Sequence, residues 1–193
     1  MKIAITGGIG SGKSYVCNLL RKRGIEIFDC DSSAKHLMRN SEKLRENLKE
    51  AIGDDAYLED GKLNKAYISR FLLESEDNAK VINGLVHPAV AEDFMLSGKD
   101  WMECAILFES GFDRLVGKVV CVSAPLETRI HRVMKRDNIS REHALEWISK
   151  QMPQEEIISR SDFCLQNDGE QNLDSQIDKL LLLVSQSSSI RNN

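Results

Sequence analysis

The residues best suited to chemistry stand in one glycine-rich segment close to the N-terminus. Residues 7–14 read Gly-Gly-Ile-Gly-Ser-Gly-Lys-Ser, which fits the pattern G-x-x-x-x-G-K-[ST], and a short apolar run precedes them. Successive N–H groups of such a turn can point into one concavity, and the following helix adds unpaired N–H groups and the positive end of its dipole. A glycine-rich turn without a ligand is the alternative, but a strand before and a helix after favour a nucleotide site.

The predicted nucleotide site divides its tasks between side chains and backbone. Lys13 supplies a mobile cation for the β- and γ-phosphates, and the Ser14 hydroxyl is a ligand for Mg²⁺. Asn167 follows the last predicted strand, where it either borders the base of the nucleotide or is only a turn residue. The predicted nucleotide contacts are Gly8, Ile9, Gly10, Ser11, Gly12, Lys13, Ser14, Tyr15 and Asn167.

Three acidic residues follow two other predicted strands. Asp29 and Asp31 come after the strand at residues 25–28, and Glu109 follows the strand at residues 102–108. In a doubly wound sheet, ligands lie beyond the carboxyl ends of the strands. A carboxylate after the second strand can accept a proton from an attacking hydroxyl or organise Mg²⁺ through water, or it can simply cap the next helix. We favour Asp31 for the chemical role, and expect Glu109 to reach Mg²⁺ or its waters.

Basic residues mark a candidate lid after the fourth strand. Pro125 opens a helix with an apolar stripe on one side, and we expect Arg129, Arg132 and Arg136 on the other side. Guanidinium groups on a closing lid would stabilise a transferred phosphoryl group and exclude water. The alternative is a solvated charged face. Given the phosphate loop, we favour the lid, with Arg132 and Arg136 as its working residues.

The elements that must position these groups alternate between apolar strands and helices. Short apolar runs at residues 2–6, 25–28, 102–108, 118–122 and 162–165 predict an α/β fold with a five-stranded, parallel, doubly wound sheet. The long helical stretch at 32–100 predicts an inserted subdomain for a second substrate. Within it, Pro88 restricts His87 to an extended conformation, so we expect a helix to end or kink there. The predicted core is 1–31, 101–137 and 160–186, with the lid at 138–159.

Composition narrows the class of protein. The chain has 193 residues and a net charge of −4, so no global basic field attracts nucleic acid. Its five cysteines are odd in number and never in C-x-x-C spacing, which favours buried, reduced thiols. No apolar run approaches a membrane span, and the N-terminus enters a strand without a signal peptide. We expect one cytoplasmic domain, monomeric or weakly self-associating, that binds neither nucleic acid nor membrane.

Taken together, these motifs resemble the dephospho-coenzyme A kinases in order and spacing over about residues 1–184. The resemblance rests on the double-glycine loop, Asp29-Cys-Asp31, His87-Pro88, Leu107-Phe-Glu109, Arg132-x-x-x-Arg136-Asp137, Gln151 and Asn167-Asp-Gly169. It implies ATP- and Mg²⁺-dependent phosphorylation of the ribose 3′-hydroxyl of dephospho-CoA, the last step of coenzyme A synthesis. It also implies Asp31 as the base, Lys13, Arg132 and Arg136 as catalytic cations, and Asp31, His87 and Glu109 as substrate contacts.

The chain departs from the family pattern at three places. Tyr15 stands where a threonine is usual, and Lys35-His36 replaces a common arginine. Just past Gln151, where the family tends to carry arginine, the chain reads Met-Pro-Gln-Glu-Glu, so one lid cation is missing or comes from elsewhere, for example from Arg160. A different phosphate-loop kinase acting on a nucleoside or nucleotide is the nearest alternative. A GTPase switch would need an N-K-x-D motif, and a binding module without catalysis would bind ATP but release no ADP.

Overall fold

The structure is a computed structural model that describes residues 1–189. It divides the chain into two compact units, one formed by Met1–Ile27 with the chain from Lys99 onward and the other by Phe28–Gly98. The strands are β1 Ile3–Thr6, β2 Ile27–Asp29, β3 Trp101–Glu103, β4 Lys118–Ser123 and β5 Phe163–Gln166. The α-helices are α1 Lys13–Arg21, α2 Cys30–Asn40, α3 Glu42–Ile52, α4 Lys65–Glu74, α5 Glu76–Leu96, α6 Leu126–Asp137, α7 Arg141–Ser149, α8 Gln154–Ser159 and α9 Leu173–Ser189.

The five strands form one parallel sheet in the order β2-β3-β1-β4-β5. Ile3 of β1 is aligned with Trp101 of β3 on one side and with Lys118 of β4 on the other. Parallel neighbours need long crossover connections, and side chains of α1 and α9 pack with those of the strands in one core. The predicted five-stranded parallel α/β fold is confirmed.

The apolar character of the strands is explained by burial. All four residues of β1 are buried, and its side chains pack with those of β4, β5, α1 and α9 in one core. The core includes Ile3, Ile5, Val16, Leu19, Leu20, Val120, Val122, Leu165, Ile177 and Leu180. Because residues of β1 are packed against helix side chains, the loop that follows β1 is anchored at its start by a rigid strand.

The second unit is a helical bundle with its own apolar interior. Buried residues recur along α3 and α5, among them Leu48 and Phe94, and the Phe28 and Phe94 rings lie 5.3 Å apart. Side-chain oxygens of Ser41, Asn64 and Ser75 each accept an N–H group from the first turn of α3, α4 and α5, respectively. Such caps define where each helix begins.

The prediction that a helix ends or kinks at His87-Pro88 is wrong about the end. Helix α5 runs from Glu76 to Leu96 with Pro88 inside it. Ile82, Val86, Val90 and Phe94 are all buried on one stripe of this helix. Packing of that stripe outweighs the hydrogen bond that a proline removes, because tertiary context overrides local preference.

Two further predictions need correction. The third strand, expected over 102–108, covers only Trp101–Glu103, and residues 105–111 form turns. Cys104 and Leu107 are nevertheless buried. The apolar run therefore reflects burial in a turn and not a longer strand. On α6, Arg129 was expected on the solvent side, but it is buried along with Ile130 and Val133. The reason lies in the phosphate loop.

Candidate active site

The predicted phosphate loop connects β1 to α1 with backbone conformations that favour glycine. Gly10 and Gly12 have φ angles of 79° and 94°. A Cβ atom at Gly12 would lie 2.1 Å from Nδ2 of Asn167, and one at Gly10 would lie 2.6 Å from the carbonyl oxygen of Arg129. Positive φ and the absence of space therefore both demand glycine here.

The N-terminus of α1 is suited to an anion. Gly12 is its N-cap, no side chain caps the helix, and its first turn carries no acidic residue. Uncapped N–H groups and the positive dipole end both favour a phosphate at this position. Lys13 begins the helix, and its Nζ donates to the carbonyl oxygens of Gly7 at 2.6 Å and Gly8 at 3.5 Å.

The residue after this lysine, Ser14, contacts a carboxylate from the neighbouring strand. The Ser14 hydroxyl donates a hydrogen bond to Oε1 of Glu103 at 3.0 Å. Glu103 is the last residue of β3, the strand next to β1. Sequence reasoning expected this carboxylate at Glu109 and missed Glu103. A sequence prediction that ended the third strand at residue 103 would have identified Glu103.

Helix α6 supports the loop from behind with two arginines. Arg129 is 5% exposed, and its Nε donates to the carbonyl oxygen of Ile9 at 2.9 Å. Burial lowers the pKa of the Arg129 guanidinium, although arginine stays charged in proteins. Arg132 donates through Nη1 to the carbonyl oxygen of Ser11 at 3.3 Å and through Nη2 to that of Asn167 at 3.0 Å. Both cations thus hold carbonyl oxygens of the loop.

Asn167 also supports the loop. Its side chain is buried, and its Nδ2 donates to the carbonyl oxygen of Ser11 at 2.8 Å. Its backbone N–H donates to the carbonyl oxygen of Ser123 at 2.8 Å, which ties the end of β5 to the end of β4. The contact of Asn167 with adenine stays a prediction.

The predicted lid contains α7 and α8, and one of its side chains forms a hydrogen bond with the loop. Oε1 of Gln151 accepts the N–H of Ile9 at 2.6 Å. Next to it, the N–H of Met152 donates to Oε1 of Glu109 at 3.4 Å, so Glu109 lies against the lid segment. Gln151 is thus a further loop contact, which only the family resemblance had singled out.

The other candidate cations lie elsewhere. Arg136 is exposed and paired with Asp137 at 2.7 Å, and this hydrogen-bonded pair holds the pKa of the Asp137 carboxyl below its usual value. The Arg160 guanidinium lies 4.1 Å from the centre of the Phe108 ring and 3.8 Å from a carboxylate oxygen of Asp113. Of the two arginines predicted to work in the lid, Arg132 thus contacts the loop, whereas Arg136 is paired with Asp137.

The second unit carries two further candidates, Asp31 and His87. Asp29 caps α2, since its Oδ1 accepts the N–H of Ser32 at 2.9 Å. Asp31 lies in the first turn of α2, is exposed, and has no hydrogen-bond or ion-pair partner among residues 1–189. His87 lies on α5, where partial burial lowers the pKa of its imidazole and favours the neutral form near pH 7.

Comparison with known proteins identifies the family. A family model described as dephospho-CoA kinase matches residues 1–172. A dephospho-CoA kinase of Bacteroides fragilis is 40% identical over 193 residues, covering 96% of this chain and 94% of that protein. The chain belongs to the dephospho-CoA kinase family. The resemblance inferred from the motifs is therefore confirmed.

Two solved structures share the fold of this chain. A Thermus thermophilus protein of known structure is 33% identical, with a TM-score of 0.77 and coverage of 96% of this chain and 97% of that one. A dephospho-CoA kinase from Campylobacter jejuni is 21% identical and has a TM-score of 0.64 over the full length of both chains, which shows the shared fold.

The described residues contain neither a preformed metal cluster nor a membrane-spanning helix. Residues 1–189 contain no group of three or more His, Cys, Asp or Glu side chains placed to hold a metal ion. No helix within this part of the chain has the length and apolar character that crossing a bilayer requires.

Proposed function

We propose that this protein transfers the γ-phosphoryl group of ATP to the ribose 3′-hydroxyl of dephospho-CoA, the last step of coenzyme A synthesis. The main observation that supports this proposal is the structure of the phosphate loop. Its glycines leave no room for side chains, its helix end is uncapped, and Lys13 and Ser14 stand at its rim in a chain of the dephospho-CoA kinase family.

The ATP phosphates are held by backbone N–H groups of residues 8–14 and by Lys13. Mg²⁺ fits the Ser14 hydroxyl and the Glu103 carboxylate, because hard oxygen donors are the ligands it prefers and these two oxygens lie 3.0 Å apart. Magnesium usually takes one or two protein ligands and completes its shell with phosphate oxygens and water. When bound, Mg²⁺ neutralises charge on the β- and γ-phosphates.

Asp31 is the proposed base that orients the 3′-hydroxyl and accepts its proton. Its exposure supports this role, as does the fact that Asp29 already serves as the cap of α2. Lys13, Arg132 and Arg136 are proposed to neutralise charge as the phosphoryl group moves, an electrostatic effect that can amount to several kcal/mol. For Arg132 this role comes in addition to its contacts with the loop carbonyls.

The remaining assignments concern binding. His87 and Glu109 are proposed contacts of dephospho-CoA, and Tyr15 and Asn167 are proposed contacts of ATP. The helical segment 32–100 is proposed to bind the acceptor, and residues 138–159 to act as a lid. We also propose a cytoplasmic enzyme, monomeric or weakly self-associating, that binds neither nucleic acid nor membrane. Its net charge of −4 supports the exclusion of nucleic acid.

Coupled measurement of ADP release tests the proposal. The purified protein is assayed with Mg²⁺, ATP and one acceptor at a time: dephospho-CoA, AMP, a nucleoside, or none. We expect ADP release only when dephospho-CoA is the acceptor. Mass spectrometry should identify coenzyme A as the product. Equal turnover with AMP or a nucleoside would indicate the alternative kinase class, and ATP binding without ADP release would indicate a binding module.

A further inference from the structure

Two of the five cysteines face each other across the edge of the sheet. Cys121 of β4 and Cys164 of β5 are aligned partners in parallel strands, and both are free thiols. Neighbouring strands lie about 4.8 Å apart, and aligned residues point to the same face. A disulfide requires a Cα–Cα separation of roughly 4.4–6.8 Å. An S–S bond between these two residues is therefore compatible with the strands as they stand.

The two thiols have different surroundings. Cys121 is fully buried, whereas Cys164 is exposed on the edge strand, and the other three cysteines are buried. The Cys164 sulfur lies 3.2 Å from the Ser123 hydroxyl oxygen. A hydrogen bond from the Cys121 thiol, assisted by Ser123, holds the pKa of Cys164 below its ordinary value. The same hydrogen bond, together with burial, raises the pKa of Cys121. The exposed sulfur is thus the better nucleophile, and the buried thiol keeps its proton.

We propose that Cys164 and Cys121 form a reversible oxidation site for hydroperoxides. In the first step, the Cys164 thiolate attacks one peroxide oxygen, the O–O bond breaks, hydroxide (or alkoxide) leaves, and Cys164 becomes a sulfenic acid. In the second step, the Cys121 sulfur attacks the Cys164 sulfur. The S–S bond forms, the S–O bond breaks, and the proton of Cys121 leaves with the hydroxyl group as water. The peroxide is reduced by two electrons, and the two thiols supply them.

The position of the pair connects this oxidation to the phosphate loop. Cys164 stands three residues before Asn167, whose side chain holds the carbonyl oxygen of Ser11. Cys121 is also aligned with Thr6, the last residue of β1 before the loop. A disulfide fixes the dihedral angles of both side chains, which free thiols do not. Oxidation would therefore replace the contact between Cys164 and Ser123 by a rigid link between β4 and β5 beside the loop, and we expect it to weaken ATP binding.

The test uses the full-length protein and a small molar excess of hydrogen peroxide. We expect the intact mass to fall by two hydrogen atoms, both thiols to escape alkylation under denaturing conditions, and a Cys121–Cys164 peptide to appear. The KM for ATP should rise at least threefold, and dithiothreitol should reverse both changes. If peroxide leaves both cysteines open to alkylation, the oxidation site does not exist. If the disulfide forms and the KM for ATP stays the same, the connection to the loop is wrong.

Variants separate the two steps. In Cys121→Ala, the reaction should stop at a Cys164 sulfenic acid, which dimedone traps. In Cys164→Ser, Cys121 should remain a free thiol under the same treatment. Cys104→Ala is the matched control, since it removes a buried cysteine outside the pair and should keep the peroxide reaction. Disulfide formation that disappears in Cys104→Ala, or oxidation of Cys121 that continues in Cys164→Ser, would overturn the proposal.

Discussion

Glu103 shows why single residues are hard to assign from sequence. A carboxylate at the end of the strand beside β1 was expected, and the structure places one next to Ser14. The prediction chose Glu109 because the apolar run continues to Phe108. Residues that are buried in a strand and residues that are buried in a turn give the same hydrophobic pattern, so only the backbone separates them.

Replacement of Glu103 by glutamine should weaken the use of Mg²⁺. The variant keeps the size of the side chain and removes the charge beside Ser14. Losing a group that orients a metal ligand commonly costs roughly tenfold to a hundredfold in metal affinity or activity. We expect the Mg²⁺ concentration for half-maximal turnover to rise by that order. Glu109→Gln should keep the wild-type Mg²⁺ dependence, and an unchanged Mg²⁺ titration in Glu103→Gln would exclude Glu103 from the metal site.

Asp31 and Asp29 offer a matched pair of substitutions. Asp31→Asn should leave ATP affinity nearly intact and lower turnover about a hundredfold or more, because an amide cannot accept the proton. Asp29→Asn should retain both folding and turnover, since asparagine caps a helix as well as aspartate does. Steady-state kinetics and ATP calorimetry on both variants check this. Near-normal turnover in Asp31→Asn would remove it from the role of base.

At the scale of elements, α6 differs most from expectation. Helical spacing alone separated Ile130 and Val133 from the arginines, and this assigned Arg129 to solvent. The loop offers carbonyl oxygens that can satisfy a buried guanidinium, and a contact between residues 9 and 129 leaves no local trace in the sequence. The strand and helix types were predictable because apolar periodicity is local, whereas the supports of the loop arise from tertiary contacts.

The link between the loop and its supports predicts a strong effect of Gly12→Ala. A methyl group at this position meets Asn167 and forces an unfavourable backbone angle, which costs of the order of 1–3 kcal/mol before any clash is counted. We expect a lower urea midpoint and loss of ATP binding by calorimetry. Gly84→Ala is the control: nothing lies within 4 Å of a Cβ there, and the helix should gain about 0.5–1 kcal/mol. Normal ATP binding by Gly12→Ala would contradict the described loop.

The environment of His87 within α5 predicts a dependence of stability on pH. Burial lowers the pKa of His87 in the folded state, so the unfolded chain binds this proton more readily. Its contribution to stability is complete above the ordinary histidine pKa of about 6.5, and is lost as the pH falls through that value toward the lowered one. In urea unfolding between about pH 8 and pH 5, wild type should lose more stability than His87→Gln. Parallel curves for the two proteins would refute this.

At the scale of the whole molecule, the presence of five strands in an α/β fold was predictable because the strands are short apolar runs separated by helical segments. The long segment between β2 and β3 was also visible as surplus length, and the structure shows Phe28–Gly98 as a compact unit. The bonds from Asn167 and Gln151 to the loop were not predictable, since each joins residues more than 140 positions apart.

MgATP should stabilise the folded chain by mass action. At an ATP concentration of 100 times the dissociation constant, binding adds about 2.7 kcal/mol. For a chain of this length, that corresponds to a rise in Tm of roughly 5–10 °C. Calorimetry should show this shift with wild type, and hydrogen exchange should slow in residues 8–17. Lys13→Ala is the control, and an equal shift in that variant would place the nucleotide away from the loop.

The ammonium group of Lys13 already rests on two main-chain oxygens at the start of the loop. A ligand must displace those oxygens before it can bind the Lys13 ammonium group. A chain of three phosphates can do so, because each ionised oxygen attracts the ammonium more strongly than a neutral carbonyl does. A nucleoside offers no such exchange. The unliganded loop therefore favours ligands that carry several negative charges. It discriminates against uncharged analogues without any additional contact.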